Sequence, residues 1–382
     1  MILGAYSARA GGGGRFLPHN VQITIAPTGA RAFAVTIHEE GTGLTYRQEV
    51  TLTATAETRL LALVADLHRW SVGLGLTEAS ARRALERLGR VLHQTFLGRR
   101  GGAVLESLRP TAVLLDVDES ILGLPWEAMR SAQRELAIDC PFGRVVTTST
   151  TPVARRDPVS DDPVVKILAV VNPTDDLAAT EAELAVLRTL AAGEPQSGVT
   201  VKLDVLEAGD ATRRGLVRAV DGGDHDIVHF AGHARYDAGD PHHSALLLAD
   251  GPFTAEHVRR LAWAAPPYLV FNSSCQSARA VHGRRLVSSG GRANGLAAAF
   301  LAAGCEAYVG HFWPVGDHAA ADFAGAFYES LFRTVNAGAA VLDARRAVRG
   351  RYDESADLAA FGAVFFGDAG AAAERRDLAQ AV

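Results

Sequence analysis

A chain of 382 residues, 48% hydrophobic and 21% charged, holds enough apolar material for one large α/β core with a smaller appendage. The formal net charge of −5 argues against a broad polyanion-binding surface, so nucleic acid is not an expected partner. Cys140, Cys275 and Cys305 are too few and too scattered for a disulfide framework or a four-ligand zinc site, and the longest nearly apolar run, 296–304, falls far short of the roughly 20 residues of a membrane span. The expectation is a cytoplasmic protein with no membrane association, no metal and no cofactor.

The four glycines at 11–14 lack a following Gly-Lys-Ser/Thr and read as linker rather than phosphate loop. Residues 21–25, 33–37 and 44–52 alternate or are β-rich, with turns at 27–29 and 40–43, and predict a small β-meander. Two helices are expected next. The first spans 57–70 with Leu60, Leu61, Val64 and Leu67 on one side, and the second follows an N-cap at Thr77 to about residue 96 with Leu85, Leu88 and Val91 on its stripe. His68 and His93 read as partly buried helix residues.

A new pattern starts at Thr111: a strand over 112–117, a turn, then LGLPWE at 122–127, where Pro125 suits a first helical turn and Trp126 and Met129 would pin it to a core. A strand over 144–150 leads into a proline-rich loop at 151–163. Regular βα alternation follows, with strands at 164–171, 199–206, 226–230, 268–272 and 307–309 and helices at 180–192, 211–220, after Thr254, 294–303 and 317–333. Such alternation predicts a mostly parallel sheet with helices on both faces, whose ligands bind at the carboxyl ends of the strands. The expected division is 1–109 for the meander and two-helix segment, 110–163 for a front half, 164–370 for the core and 371–382 for a tail.

Two strand ends carry chemistry. DIVHFAGHA at 226–234 sets His233 just past an apolar strand, and LVFNSSCQSA at 269–278 does the same for Cys275. A thiol performs acyl transfer only as thiolate and needs a neighbouring base, which His233 can supply. The small residues around both let backbone approach closely, so the N–H groups of Ala234 and Cys275 are candidate donors to a developing oxyanion. The same residues also suit an inert turn, and a lone Cys is more often a small core hydrophobe, as read for Cys140 and Cys305. Asn272 is read as bonding the Cys loop, and His229, in the strand, as structural. At the end of the 164–171 strand, Asn172-Pro173-Thr174 stands where a glycine-rich phosphate fingerprint would be.

These two strings, together with GLAAAFLAAG at 295–304, GHFWPVGD at 310–317 and the upstream LGLPWE, resemble the CHAT family of caspase-like cysteine peptidases, relatives of separase, over about 111–367. The resemblance implies a caspase-like fold, His233 as general acid and base, Cys275 as a nucleophile forming a thioester, and a dyad that does not depend on a third carboxylate. It implies a protein substrate cut at limited sites, in a bacterial defence or regulated cell-death pathway. It also places Asp317 where the separase-like branch holds a basic P1 side chain, against a plain reading of Asp317 as a helix N-cap. The superhelical helix repeats of many relatives are not visible, and segment 1–109 is instead a candidate surface for an activating or regulatory protein. The Gly-, Ser- and Arg-rich stretch 280–292, with Arg284-Arg285, reads as a loop beside the cleft open to self-cleavage. Two other readings stay open: a catalytically silent CHAT-like scaffold, and a small-ligand-binding α/β protein using the same crevice.

Overall fold

The computed structural model of the chain describes residues 20–43, 45–118, 121–147, 164–193, 199–237, 240–261, 263, 265–274, 295–351 and 356–370. It opens with an antiparallel meander of β1 (Asn20–Pro27), β2 (Ala32–Glu39) and β3 (Thr45–Thr51). Alternate residues Val21, Ile23 and Ile25 of β1 are buried, as a strand with one covered face requires. Helices α1 (Ala54–Ser71) and α2 (Glu78–Leu92) start at Thr53 and Thr77, whose hydroxyls accept the N–H of Ala56 and Ser80. The expected end of the second helix near residue 96 is instead a π-helical turn, His93–Leu97, leading into a third helix, α3 (Gly98–Leu108).

The middle of the chain supplies β4 (Ala112–Asp118), the short α4 (Leu136–Asp139) and β5 (Phe142–Thr147), with a 3-10 turn at Trp126–Ala128 between β4 and α4. The βα alternation then appears as β6 (Val164–Val171), α5 (Thr180–Ala192), β7 (Thr200–Glu207), α6 (Arg213–Asp221) and β8 (Ile227–Ala231). A small antiparallel ribbon of β9 (Ala234–Arg235), β10 (Ala245–Leu248) and β11 (Gly251–Thr254) interrupts it. After α7 (Ala255–Arg259) come β12 (Leu269–Asn272), α8 (Leu296–Ala302), β13 (Ala307–His311) and α9 (Asp317–Thr334). The chain closes through α10 (Ala337–Arg351), α11 (Ala356–Gly362) and β14 (Ala363–Phe366).

Eleven strands form one sheet in the order β3-β2-β1-β4-β5-β14-β13-β12-β8-β6-β7. The meander is therefore continuous with the core: β1 runs parallel to β4 over six paired positions. The two halves meet at β14, which pairs antiparallel with β13 and parallel with β5. Strand alternation feeds two apolar layers. Leu168, Val170, Val228, Phe230, Val270 and Tyr308 point to one, and Ile167, Ala169, Ile227, Phe271 and Val309 to the other, where α5, α9 and α10 pack. No helix among the described residues is long and apolar enough to cross a membrane.

Candidate active site at the strand ends

Strands β6, β8, β12 and β13 are successive neighbours and parallel, so their carboxyl ends line one edge. The first exit is a turn built by Asn172. Its φ of 45° lies in the left-handed region, which Asn tolerates by bonding its own backbone locally, and its Oδ1 accepts the N–H groups of Asp176 at 3.1 Å and Leu177 at 2.9 Å. The Asn172 N–H in turn reaches the Ala231 carbonyl of β8 at 2.8 Å. The turn is thereby tied to the neighbouring strand, and it presents Asp176 to the second exit.

There, His233 lies two residues past β8, with Nε2 3.2 Å from Asp176 Oδ1. The Thr174 hydroxyl, and then the facing His233, hold the Asp176 carboxyl below the usual carboxylate range. Asp176 is the residue that sequence reasoning missed, because Asn172-Pro173-Thr174 registered only as a failed phosphate fingerprint. The available signal was an Asn-Pro turn closing a buried strand with two carboxylates directly behind it. Gly232 is needed for the approach: a Cβ there would sit 2.9 Å from Pro173 Cδ and 3.0 Å from Phe230 Cζ. The Ala234–Leu246 pair is flanked by the Leu247 N–H to His233 carbonyl bond at 2.9 Å, so it is a wide pair of the ladder and the Ala234 N–H points away from β10.

At the third exit, Asn272 is wholly buried; it donates to the Tyr308 hydroxyl at 3.0 Å and accepts from the Ser274 N–H at 3.1 Å and the Ser274 hydroxyl. The reading of Asn272 as a brace for the following loop holds as far as Ser274. Cys275, His282 and the stretch 280–292 with Arg284-Arg285 lie outside the described residues, as do 11–14, 151–163 and 371–382.

At the fourth exit, Phe312 and Trp313 are buried and the Trp313 Nε1–H donates to the Leu358 carbonyl at 2.8 Å. Asp317 is exposed and is the first residue of α9; the N-cap is Gly316, with no side-chain cap bond, which corrects the N-cap reading of Asp317. A carboxylate in this first turn still suits the positive end of the helix dipole.

The remaining candidates fall as expected for core groups. Cys140 and Cys305 are each 4% exposed; burial pushes the Cys140 thiol up to about 12 and raises that of Cys305 further. His68 and His93 are half-buried on their helices, and burial lowers the pKa of His93. His229 is wholly buried in β8. Among the described residues there is no group of three His, Cys, Asp or Glu side chains able to hold a metal ion.

An 11-stranded, mostly parallel sheet with helices on both faces and polar residues at adjoining strand exits is the caspase-like arrangement. Two solved structures agree on the fold. The separase–securin complex of Saccharomyces cerevisiae superposes with a TM-score of 0.59 at 11% identity in one structure and 0.56 at 13% in another; the match covers 92% of this chain and 30% of the yeast chain in both. A weaker match, TM-score 0.47 at 14% identity over 82% of this chain and 75% of the other, is to the complex of pro- and mature domains of RgpB from Porphyromonas gingivalis. No curated protein sequence matches the chain. The CHAT domain model matches residues 82–367, three quarters of the sequence, and the chain belongs to that family. The match begins inside α2, upstream of the point at which the sequence motifs start.

Proposed function

We propose that this chain is a cysteine endopeptidase that makes limited cuts in a protein substrate after Arg or Lys, using His233 and Cys275. The observation that carries the reading is the register of the two strands. Asn272 of β12 pairs with Phe230 of β8, and the Ser273 N–H donates to the Phe230 carbonyl at 2.8 Å. Counted along the sequence, Cys275 and His233 each stand three residues beyond that pair.

In the proposed reaction His233 takes the Cys275 thiol proton, and the thiolate attacks the carbonyl carbon of the scissile peptide. The N–H groups of Ala234 and Cys275 stabilise the oxyanion. His233 then protonates the departing amine, leaving a thioester. Water, giving its proton to His233, attacks that thioester, and the acid product and the thiol are released. Asp176 orients the imidazole through its contact with Nε2. Asp317 receives the basic P1 side chain by a charge-assisted hydrogen bond.

Regulation fits the same reading. The yeast structures hold separase with a second protein, securin, and a protein partner acting through residues 1–109 is the corresponding proposal here. A role in bacterial defence or regulated cell death rests on the family resemblance.

A panel of peptides differing at P1, incubated with the parent, Cys275→Ala and His233→Ala, tests the reading. Cleavage after Arg or Lys by the parent alone is expected, and Asp317→Ala should erase the basic preference. A parent that cuts neither peptides nor itself would favour the silent scaffold.

A further inference from the structure

A set of polar side chains that the proposed reaction does not use is buried beneath the β12 exit, on the face covered by α5 and α9. Glu183, in the first turn of α5, is 5% exposed. Its Oε1 accepts a 2.9 Å hydrogen bond from the Ser273 hydroxyl, and its Oε2 lies 3.2 Å from His229 Nε2. His229 turns Nδ1 to the Tyr328 hydroxyl of α9 at 3.0 Å and stacks on Phe271 of β12, ring centroids 5.1 Å apart. His311, at the end of β13, is another titratable group on which the Glu183 charge acts. Burial lowers its pKa to about 4, with the Glu183 charge acting the other way. Burial first, and Glu183 second, raise the Tyr328 hydroxyl.

A carboxylate withdrawn from water costs several kcal/mol unless it is well bonded, and an apolar side chain of similar size would fill the same space without that cost. Packing therefore does not explain Glu183. What distinguishes it is the partner it reaches. Ser273 is one residue past β12 and two before Cys275, and it is held twice: its N–H by the Phe230 carbonyl of β8, its hydroxyl by Glu183 of α5. Seven residues upstream of Glu183, the turn that leads into α5 carries Asp176 to His233. A single connection, 172–183, thus touches both sides of the strand-end crevice.

We propose that Glu183 is a positioning residue: through Ser273 it fixes where the β12 exit enters the site, and so sets the placement of the Cys275 thiol against His233. This rests on the Cys275–His233 reading. A hydroxyl donating to a buried carboxylate is a strong, directional bond, and a displacement of about 1 Å at a reacting group costs about a hundredfold in rate.

The test compares the full-length parent with Glu183→Ala, Ser273→Ala, their double variant and Glu183→Gln. Two readouts are used: peptide cleavage, and alkylation of Cys275 by iodoacetamide followed by peptide mass, for which the buried Cys140 and Cys305 serve as slow internal references. Each alanine variant should lower kcat about ten- to a hundredfold with KM little changed, and should change the Cys275 alkylation rate. The double variant should be no worse than the poorer single one, because both remove the same link. Glu183→Gln keeps an oxygen for Ser273 and should recover most of kcat. Parental kcat and alkylation in both alanine variants, with only the melting temperature reduced, would overturn the proposal, as would effects that multiply in the double variant. Should Glu183→Ala not fold, the half-buried Ser273→Ala carries the same comparison. A parent that cuts nothing removes the peptidase reading, while the alkylation arm still decides the positioning role.

Discussion

Two buried acids, Glu127 in the front half and Glu183 in the core, have the same chemistry and opposite uses. Glu127 is wholly buried and bound by Arg144, whose Nε donates to Oε1 at 2.8 Å and whose Nη2 donates to Oε2; Arg144 Nη1 donates to the Leu122 carbonyl at 2.9 Å. Arg144 is also the β5 residue that pairs with Phe366 of β14, and its guanidinium lies 5.8 Å from the Phe366 ring centroid. Beside it the buried Arg345 donates to the Ala363 carbonyl of β14 at 2.8 Å, and burial lowers its pKa to about 10. This cluster joins the two halves of the sheet and ends in itself. Glu183 instead hands one oxygen to a loop at the carboxyl edge. The difference teaches that the place a buried carboxylate packs against, the middle of a strand as Glu127 does at Arg144 or a strand exit as Glu183 does at Ser273, decides whether it can reach chemistry.

Breaking the seam should have the largest effect. Glu127→Ala leaves Arg144 buried without its carboxylate and should cost about 3–5 kcal/mol of folding stability, read by denaturant unfolding; a loss under about 1 kcal/mol would mean the two halves do not depend on this pair. The paired comparison at the edge is a pH experiment on His311. Its folded pKa of about 4 is depressed, so its contribution is fully present above the unfolded value near 6.5 and is lost as pH falls from there toward 4. The loss should reach about 3 kcal/mol at most, and His311→Gln should flatten that part of the stability curve. An unchanged slope would remove His311 as its source.

Smaller effects sharpen the site itself. Gly232→Ala forces Pro173 or Phe230 to give way and should lower kcat about tenfold while the protein stays folded, because the strain falls on the residue before His233. Parental kcat would show that the β8 exit tolerates the shift. Smallest is Asp176→Asn. Its side chain and that of His233 are 60% and 41% exposed, so solvent screens the pair, and kcat should fall only about two- to fivefold. A loss beyond about a hundredfold would instead make Asp176 an obligatory third member of the site.

Much of the core was legible because its signals are local. The strand at Val164–Val171 and the helix at Thr180–Ala192 stand where apolar runs and periodicity put them, and Thr77 and Thr254, from which helices were expected to start, cap them through short side chains within one turn. Segments with weaker or competing patterns were missed: α3 behind its π turn, α10, and β14, a four-residue strand after a short helix. The motif LGLPWE was legible as a feature yet not for its use. Trp126 packs in the core at an edge-on ring distance of 4.8 Å from Phe96, and Glu127 serves the seam, so this motif belongs to the joint rather than to the strand ends.

The sequence by itself determined the βα order, the family, and the place of His233 just past an apolar strand, since each depends on residue types within a few positions of one another. Only the tertiary structure decided that the meander continues the main sheet, that β14 closes the gap between β5 and β13, that Asp176 faces His233 across 57 positions of chain, and that Glu183 reaches Ser273 across 90. Those pairings follow from which strands lie side by side. Adjacency of that kind is set by the summed burial of two apolar layers, a property that no short window of sequence contains.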